Sequence, residues 1–163
     1  MNVKLIAIAA LGKNREIGLN GGLPWSLPEE YQHFKTTVKG KYVLISRKNF
    51  ELHNCEVAGA HALVLTRDQN YSHKNAQAFI TIQEVMAFLE ASHIPELYVI
   101  GGAEIYKLAL PYLSEFLLSE IDYSGPADTY FPDFSHFEWT QASEQSHSGW
   151  KMRRLIKIPQ KPN

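Results

Sequence analysis

Along this chain short apolar runs alternate with stretches of helical periodicity, the pattern of a central β-sheet flanked by helices. Residues 5–11 are apolar throughout and read as a strand covered on both faces. Residues 12–26 carry Gly18, Gly21, Gly22 and Pro24 and read as a long loop. Pro28 is placed as the first residue of a helix that ends near Gly40. Residues 42–46 form the next strand, followed by a short helical turn over 47–53. Strands are expected at 62–66 and 78–81, then a helix from 81 or 82 to about 92 that stops before Pro95. Residues 97–100 are a continuous apolar strand, Gly101-Gly102 a turn, 103–110 a helix and 116–121 a strand. The tail, 138–144 and 150–158 around Gly149, reads as an antiparallel pair closing one edge. No repeat or linker interrupts this order, which predicts one α/β domain over residues 1–163.

Composition narrows the classes. A chain of 163 residues with 45% hydrophobic and 12% aromatic residues is globular rather than disordered. Its 16 Lys+Arg against 17 Asp+Glu leave a net charge of −1, so no bulk basic field is available for nucleic acid. Cys55 is the single cysteine, so no intrachain disulfide is possible and a cytoplasmic protein is expected. No stretch reaches the roughly 18–20 apolar residues of a membrane span, and the apolar run at 5–11 reads as a strand rather than a signal segment.

Three features carry candidate chemistry. Within the helix at 28–38, Leu27, Tyr31, Phe34 and Val38 form one apolar stripe at ~100° per residue. Glu30 lies about 70° from the centre of that stripe, whereas Glu29 lies about 170° away and faces water. Both acids suit a positive helix N-terminus, but that alone does not explain an acid at the margin of the apolar face. Secondly, a buried strand delivers Gly101-Gly102 directly before a helix, which lets backbone approach a ligand and offers free N–H groups to an anion. It is not the GxGxxG fingerprint, and a plain tight turn accounts for it equally well. Thirdly, Ser46-Arg47-Lys48 and Thr66-Arg67 end two strands, and ligands of open α/β sheets collect at carboxyl ends. Other constellations are missing. The seven histidines show no metal-ligand spacing, there is no GxSxG elbow, and Cys55 lacks the surroundings of a nucleophile. Lys151, Arg153, Arg154 and Lys157 read as a solvated strand face.

Taken together these segments resemble the dihydrofolate reductases of the bacterial chromosomal type, over essentially the whole chain. The resemblance rests on residues 5–9, Ile17-Gly18, the string Leu23-Pro24-Trp25-Ser26-Leu27-Pro28 with Glu30 and Phe34-Lys35, Arg47-Lys48, Ile100-Gly101-Gly102, Ile105-Tyr106 and Asp128-Thr129-Tyr130-Phe131-Pro132. It implies a single domain with an eight-stranded, mostly parallel sheet, an antiparallel C-terminal edge strand and about four flanking helices. The implied activity is NADPH-dependent reduction of dihydrofolate to tetrahydrofolate by a monomer, with no metal, nucleic acid or membrane partner.

The same resemblance implies roles. Glu30, Trp25 and Leu23 would be catalytic. A Glu30 carboxylate can hold the pterin N3–H and 2-amino group as a charge-assisted pair, and it favours protonation of the ring nitrogen beside the carbon that accepts hydride. Trp25 would hold an ordered water, and Leu23 would close over the nicotinamide and exclude solvent. Substrate would also meet Ile6, Ala7, Tyr31, Phe34, His53, Val57, Ile100 and Ser119, the last supporting Glu30. NADPH would lie against Ala7, Ile17, Gly18, Leu23, Ser46, Arg47, Lys48, Asn49, Thr66 and Arg67. It would continue along Ile100, Gly101, Gly102, Ala103, Glu104, Ile105 and Tyr106, with Ile8 near the nicotinamide and a cis Gly101–Gly102 peptide. The basic pairs favour NADPH over NADH, because the extra phosphate needs them.

Four departures stand out. Ser46 replaces the usual glycine, Asn49 the usual hydroxyl, and Ala60 the arginine that pairs with the substrate's glutamate. His53 stands where an aliphatic residue is usual. Weak dihydrofolate affinity is the expectation. A reductase of the same fold acting on another heterocycle, such as a riboflavin-pathway pyrimidine, and an inactive pterin- or NADPH-binding module are the alternatives.

Overall fold

The computed structural model describes residues 3–159. Its first half contains β1 (Lys4–Leu11), β2 (Glu16–Gly18), α1 (Pro28–Val38), β3 (Tyr42–Ser46), α2 (Arg47–Leu52), β4 (His61–Leu65) and β5 (Ala76–Phe79). The second half adds α3 (Ile82–Ala91), β6 (Glu96–Gly101), α4 (Ala103–Ala109), a 3-10 turn at Leu110–Tyr112, β7 (Leu113–Ile121), β8 (Thr129–Tyr130), β9 (Trp139–His147) and β10 (Trp150–Lys157).

Eight strands form one sheet in the order β5-β4-β3-β6-β1-β7-β10-β9. The first six run parallel, while β10 pairs antiparallel with β7 and β9 with β10. The expected C-terminal pair is therefore present, with β10 inside and β9 as the free edge. Successive side chains of a strand point to opposite faces, and the core accordingly splits in two. Leu5, Ala7, Ala9, Leu44, Leu63, Val99 and Phe116 pack with α3 and α4. Ile8, Val43, Ile45, Val64 and Ile100 pack on the other face with Val38 and Phe34 of α1 and Phe50 of α2.

The helices begin as local chemistry dictates. Pro28 opens α1 without a side-chain cap. The Ser46 hydroxyl accepts the Asn49 N–H at 3.2 Å to start α2, and Thr81 accepts from Glu84 N–H at 3.1 Å to start α3.

Two sequence expectations need correction. The loop at 12–26 contains a strand, because β2 takes its ladder from β8, which lies far along the chain. A three-residue strand has no periodicity of its own, so its partner makes it. Secondly, the stripe of α1 is sealed core only at its Val38 end. Tyr31 is 40% exposed and Phe34 only half-buried, while the buried residues of this helix are Glu30 and Val38. On α1 two aromatic side chains therefore stay partly exposed while an acid is sealed, which inverts the ordinary ranking of what is buried and what is wet.

Candidate active site

The inversion seals a carboxylate beside partly exposed aromatic rings. Glu30 is 5% exposed, and burial holds its pKa above the ordinary carboxylate value, with the Ser119 hydroxyl pulling the other way. Ser119 is itself buried on β7, between Ala10 of β1 and Met152 of β10. The neighbours of Glu30 on and beside α1 are aromatic: Tyr31 and Phe34 rings lie 5.9 Å apart, and Phe34 stacks against His53 at 6.4 Å. Burial keeps the His53 imidazole below its usual pKa, so it is neutral near pH 7. Val57 is buried behind this wall, among the residues packed with Phe34 and Ile100.

Ile6 and Ile8 share the α1-side face of β1, with Ile8 nearer its carboxyl end. The Ala7 side chain is sealed in the opposite core, so only its main chain is left to meet a ligand. The Tyr106 hydroxyl, buried on α4, donates to the Ile8 carbonyl at 2.8 Å and joins the helix to β1 beside the site; burial, with some contribution from Glu30, raises its pKa far above the usual phenol value.

The Gly101–Gly102 peptide is cis. Gly101 has φ +117°, a conformation that strains any side chain, and a β-carbon on Gly102 would come within 2.7 Å of Asn49 Nδ2, so the Asn49 amide would have to move to admit one. Asn49 thus packs α2 onto the turn that precedes α4. Ile105 is buried beneath that turn, Ala103 half-buried and Glu104 exposed.

Parallel pairing of Ser46 with Leu65 brings the ends of β3 and β4 side by side. Arg47, Lys48, Thr66 and Arg67 therefore converge at one rim. Arg47 pairs with Glu51 at 2.9 Å and Asp68 at 3.2 Å, and its guanidinium lies 4.4 Å above the Tyr71 ring. Arg67 lies 3.6 Å from Glu104, which reaches across from α4. Three cations beside the amino ends of α2 and α4 suit a ligand carrying several phosphates.

The loop bearing Leu23 and Trp25 is anchored across the molecule. Asp128 Oδ2 accepts the Asn20 N–H at 2.8 Å, and the Asp128 N–H donates to the Gly18 carbonyl at 2.9 Å. Glu16, 1% exposed, accepts the N–H of Asn14 at 2.6 Å and of Gly125 at 3.1 Å. Ile17 packs on the α4-side core, Leu23 is 46% exposed, and the Trp25 ring lies 5.5 Å from Tyr123. Trp25 Nε1 is buried without a protein partner, a donor suited to an ordered water. Sequence reasoning missed Glu16 and Tyr123. Neither sits in a periodic element, and the contacts that tie them across the molecule, Glu16 with Gly125 and Tyr123 with Trp25, join distant parts of the chain, so no local signal existed. Among the described residues no cluster of His, Cys, Asp or Glu forms a metal site, and no helix is long and apolar enough to cross a membrane.

With this geometry in view, comparison with known proteins is specific. Residues 4–155 match the dihydrofolate reductase family. The chain is 34% identical over 148 residues to a dihydrofolate reductase type A13 of Escherichia coli, covering 91% of this chain and 89% of that protein. It is 30% identical to a dihydrofolate reductase of Neisseria gonorrhoeae, covering 86% of each. A solved dihydrofolate reductase from Enterococcus faecalis, complexed with NADP(H) and RAB-propyl, superposes with a TM-score of 0.83 over 96% of this chain and 97% of that one, at 22% identity.

Proposed function

The chain belongs to the dihydrofolate reductase family, and from that premise we propose that it reduces 7,8-dihydrofolate to 5,6,7,8-tetrahydrofolate with NADPH, in support of one-carbon metabolism. The observation that carries the reading is Glu30, a sealed acid beside otherwise apolar and aromatic side chains. Nothing in the core needs a carboxylate there, whereas a pterin presents a planar amidine edge that does.

Bound NADPH supplies the hydride. Arg47, Lys48, Thr66 and Arg67 hold its phosphates, Ser46 and Asn49 shape the rim, and Gly101-Gly102 with Ala103 to Tyr106 bring backbone close to the pyrophosphate. Ile17, Gly18 and Leu23 cover the nicotinamide and exclude water, which strengthens every charge inside. Tyr31, Phe34, Ile6, Ile100 and the wall at His53 and Val57 hold the pterin and its benzoyl ring. Glu30 grips the pterin edge and biases the adjacent ring nitrogen toward protonation, its raised pKa keeping a proton available nearer neutrality than an ordinary carboxylate could. Ser119 orients Glu30, and the Trp25 indole N–H holds water beside it. We read the chain as the bacterial chromosomal type, acting as a cytoplasmic monomer.

The test is NADPH oxidation by purified protein with and without dihydrofolate over a wide concentration range. Saturable oxidation that requires dihydrofolate supports the reading. Bound NADPH with no oxidation at any concentration overturns it.

A further inference from the structure

Helix α1 starts without a side-chain cap, so what fixes its first turns lies elsewhere in the fold. Two strands supply it. Pairing of Met152 with Ser119 and of Trp150 with Ile121 puts these four side chains on one face of β7 and β10. Glu30 meets that face at the Ser119 hydroxyl. One turn later His33 meets it at Trp150, with ring centres 5.7 Å apart. Trp150 is 5% exposed, and its indole also carries the His147 ring, 4.0 Å away and nearly parallel at 8°. The turn between β9 and β10 adds a third contact, since a β-carbon on Gly149 would stand 3.6 Å from Leu27 Cδ2, just ahead of α1. The Gly149 carbonyl is held in turn by the Asp122 N–H, which donates to it at 2.9 Å.

His33 Nε2 and Trp150 Nε1 are both buried without a partner among the described residues, so the two rings meet by packing and not by a hydrogen bond. An imidazolium would bring a full charge and a further donor to a place that offers no acceptor. Burial, with His147 close by, holds the His33 pKa below its ordinary 6.5. The other charged groups around this seat are turned away or engaged. Glu29 and Glu30 lie one turn back on the same helix. Lys151 points to the opposite face of β10 and pairs with Glu144 at 3.2 Å, and Asp122, just beyond β7, pairs with Lys13 at 2.9 Å. We propose that His33 is a positioning residue for the reaction: its uncharged ring, seated on Trp150, fixes where the Glu30 turn of α1 lies against Ser119. The inference rests on the reductase reading, in which the Glu30 carboxyl grips the substrate. Protonation of His33 loosens the seat, so acid weakens the reaction by moving Glu30 as well as by titrating it.

The experiment uses the full chain, His33→Phe and His33→Ala. NADPH oxidation with dihydrofolate gives kcat and KM from about pH 5 to 8, fluorescence reads NADPH binding, and NMR follows the His33 imidazole through its titration. At pH 7 His33→Ala lowers kcat/KM for dihydrofolate about tenfold, with NADPH affinity unchanged. His33→Phe, which keeps a ring and cannot take a charge, recovers most of that loss. From pH 7 to 5 the ratio of kcat/KM in His33→Phe to that in the parent chain rises about threefold, in step with the His33 titration. A ratio that stays flat over that range, or unchanged kcat/KM in a folded His33→Ala chain, overturns the inference alone. A parent chain that binds NADPH but does not reduce dihydrofolate overturns the reductase reading and the inference with it.

Discussion

Glu30 and Glu16 are both acids removed from water, and their surroundings push them in opposite directions. Around Glu16, burial alone would raise the pKa, but the N–H groups of its own residue, Asn14 and Gly125 outweigh it and hold the carboxyl below its ordinary value. Around Glu30, burial dominates, and Ser119 offsets only part of it. Glu115, on β7, is a third solution: burial opposes its charge, while Arg154 at 2.7 Å and Lys4 restore it. A buried acid with its full complement of donors is part of the scaffold. One left short of donors is free to take them from a ligand, and that contrast, rather than burial, separates the two regions.

The largest effect expected is on catalysis. Glu30→Gln keeps NADPH binding and lowers dihydrofolate reduction about 10²–10⁴-fold near neutral pH; stopped-flow NADPH oxidation measures it, and near-normal turnover would take Glu30 out of the chemistry. Next comes Glu16→Gln, which puts an NH2 in place of one of the two oxygens that accept the Asn14 and Gly125 N–H groups and costs about 1–3 kcal/mol at pH 7 by urea denaturation. The folded pKa of Glu16 is depressed, so its contribution is full above the unfolded value of 4.5 and disappears as pH falls through the folded one. The deficit of Glu16→Gln should shrink with it, and a deficit that persisted in acid would mean the carboxylate charge is not what matters.

The opposite sign is expected at Glu30. Its folded pKa is raised, so ionisation there destabilises the fold once pH rises past 4.5 and through the folded pKa. Glu30→Gln should melt about 1 kcal/mol higher at pH 7, with no gain below pH ~4. Equal stability of the two chains at pH 7 would erase the contrast with Glu16. The smallest effect belongs to Glu115→Gln, roughly 1 kcal/mol or less because Lys4 and Arg154 are 42% exposed. That loss should diminish in 0.5 M salt, whereas the Glu16→Gln loss should not.

Much of this site is legible from the chain alone. Leu27, Tyr31, Phe34 and Val38 define a helical face, and Glu30 sits at its margin, so an acid beside an apolar surface follows from 3.6 residues per turn. The loop at 12–26 defeats the same approach. Its short β2 strand, its Glu16 anchor and its Asp128 hydrogen bonds all depend on residues 124–131, which no local pattern can bring near.

The periodicity and order of the apolar runs by themselves determine an α/β sheet with the Gly101-Gly102 turn and the basic pairs at strand ends, because side-chain alternation and helix pitch are properties of the local chain. Tertiary structure alone decides that Tyr31 and Phe34 of α1 stay partly exposed while Glu30 is sealed, that Ala7 turns into the opposite core while Ile8 packs on the face that holds Phe34, and that Glu30 lacks the donors Glu16 has. Those outcomes depend on how many polar groups the fold delivers to one point in space, and such a count is made across the sheet rather than along the sequence.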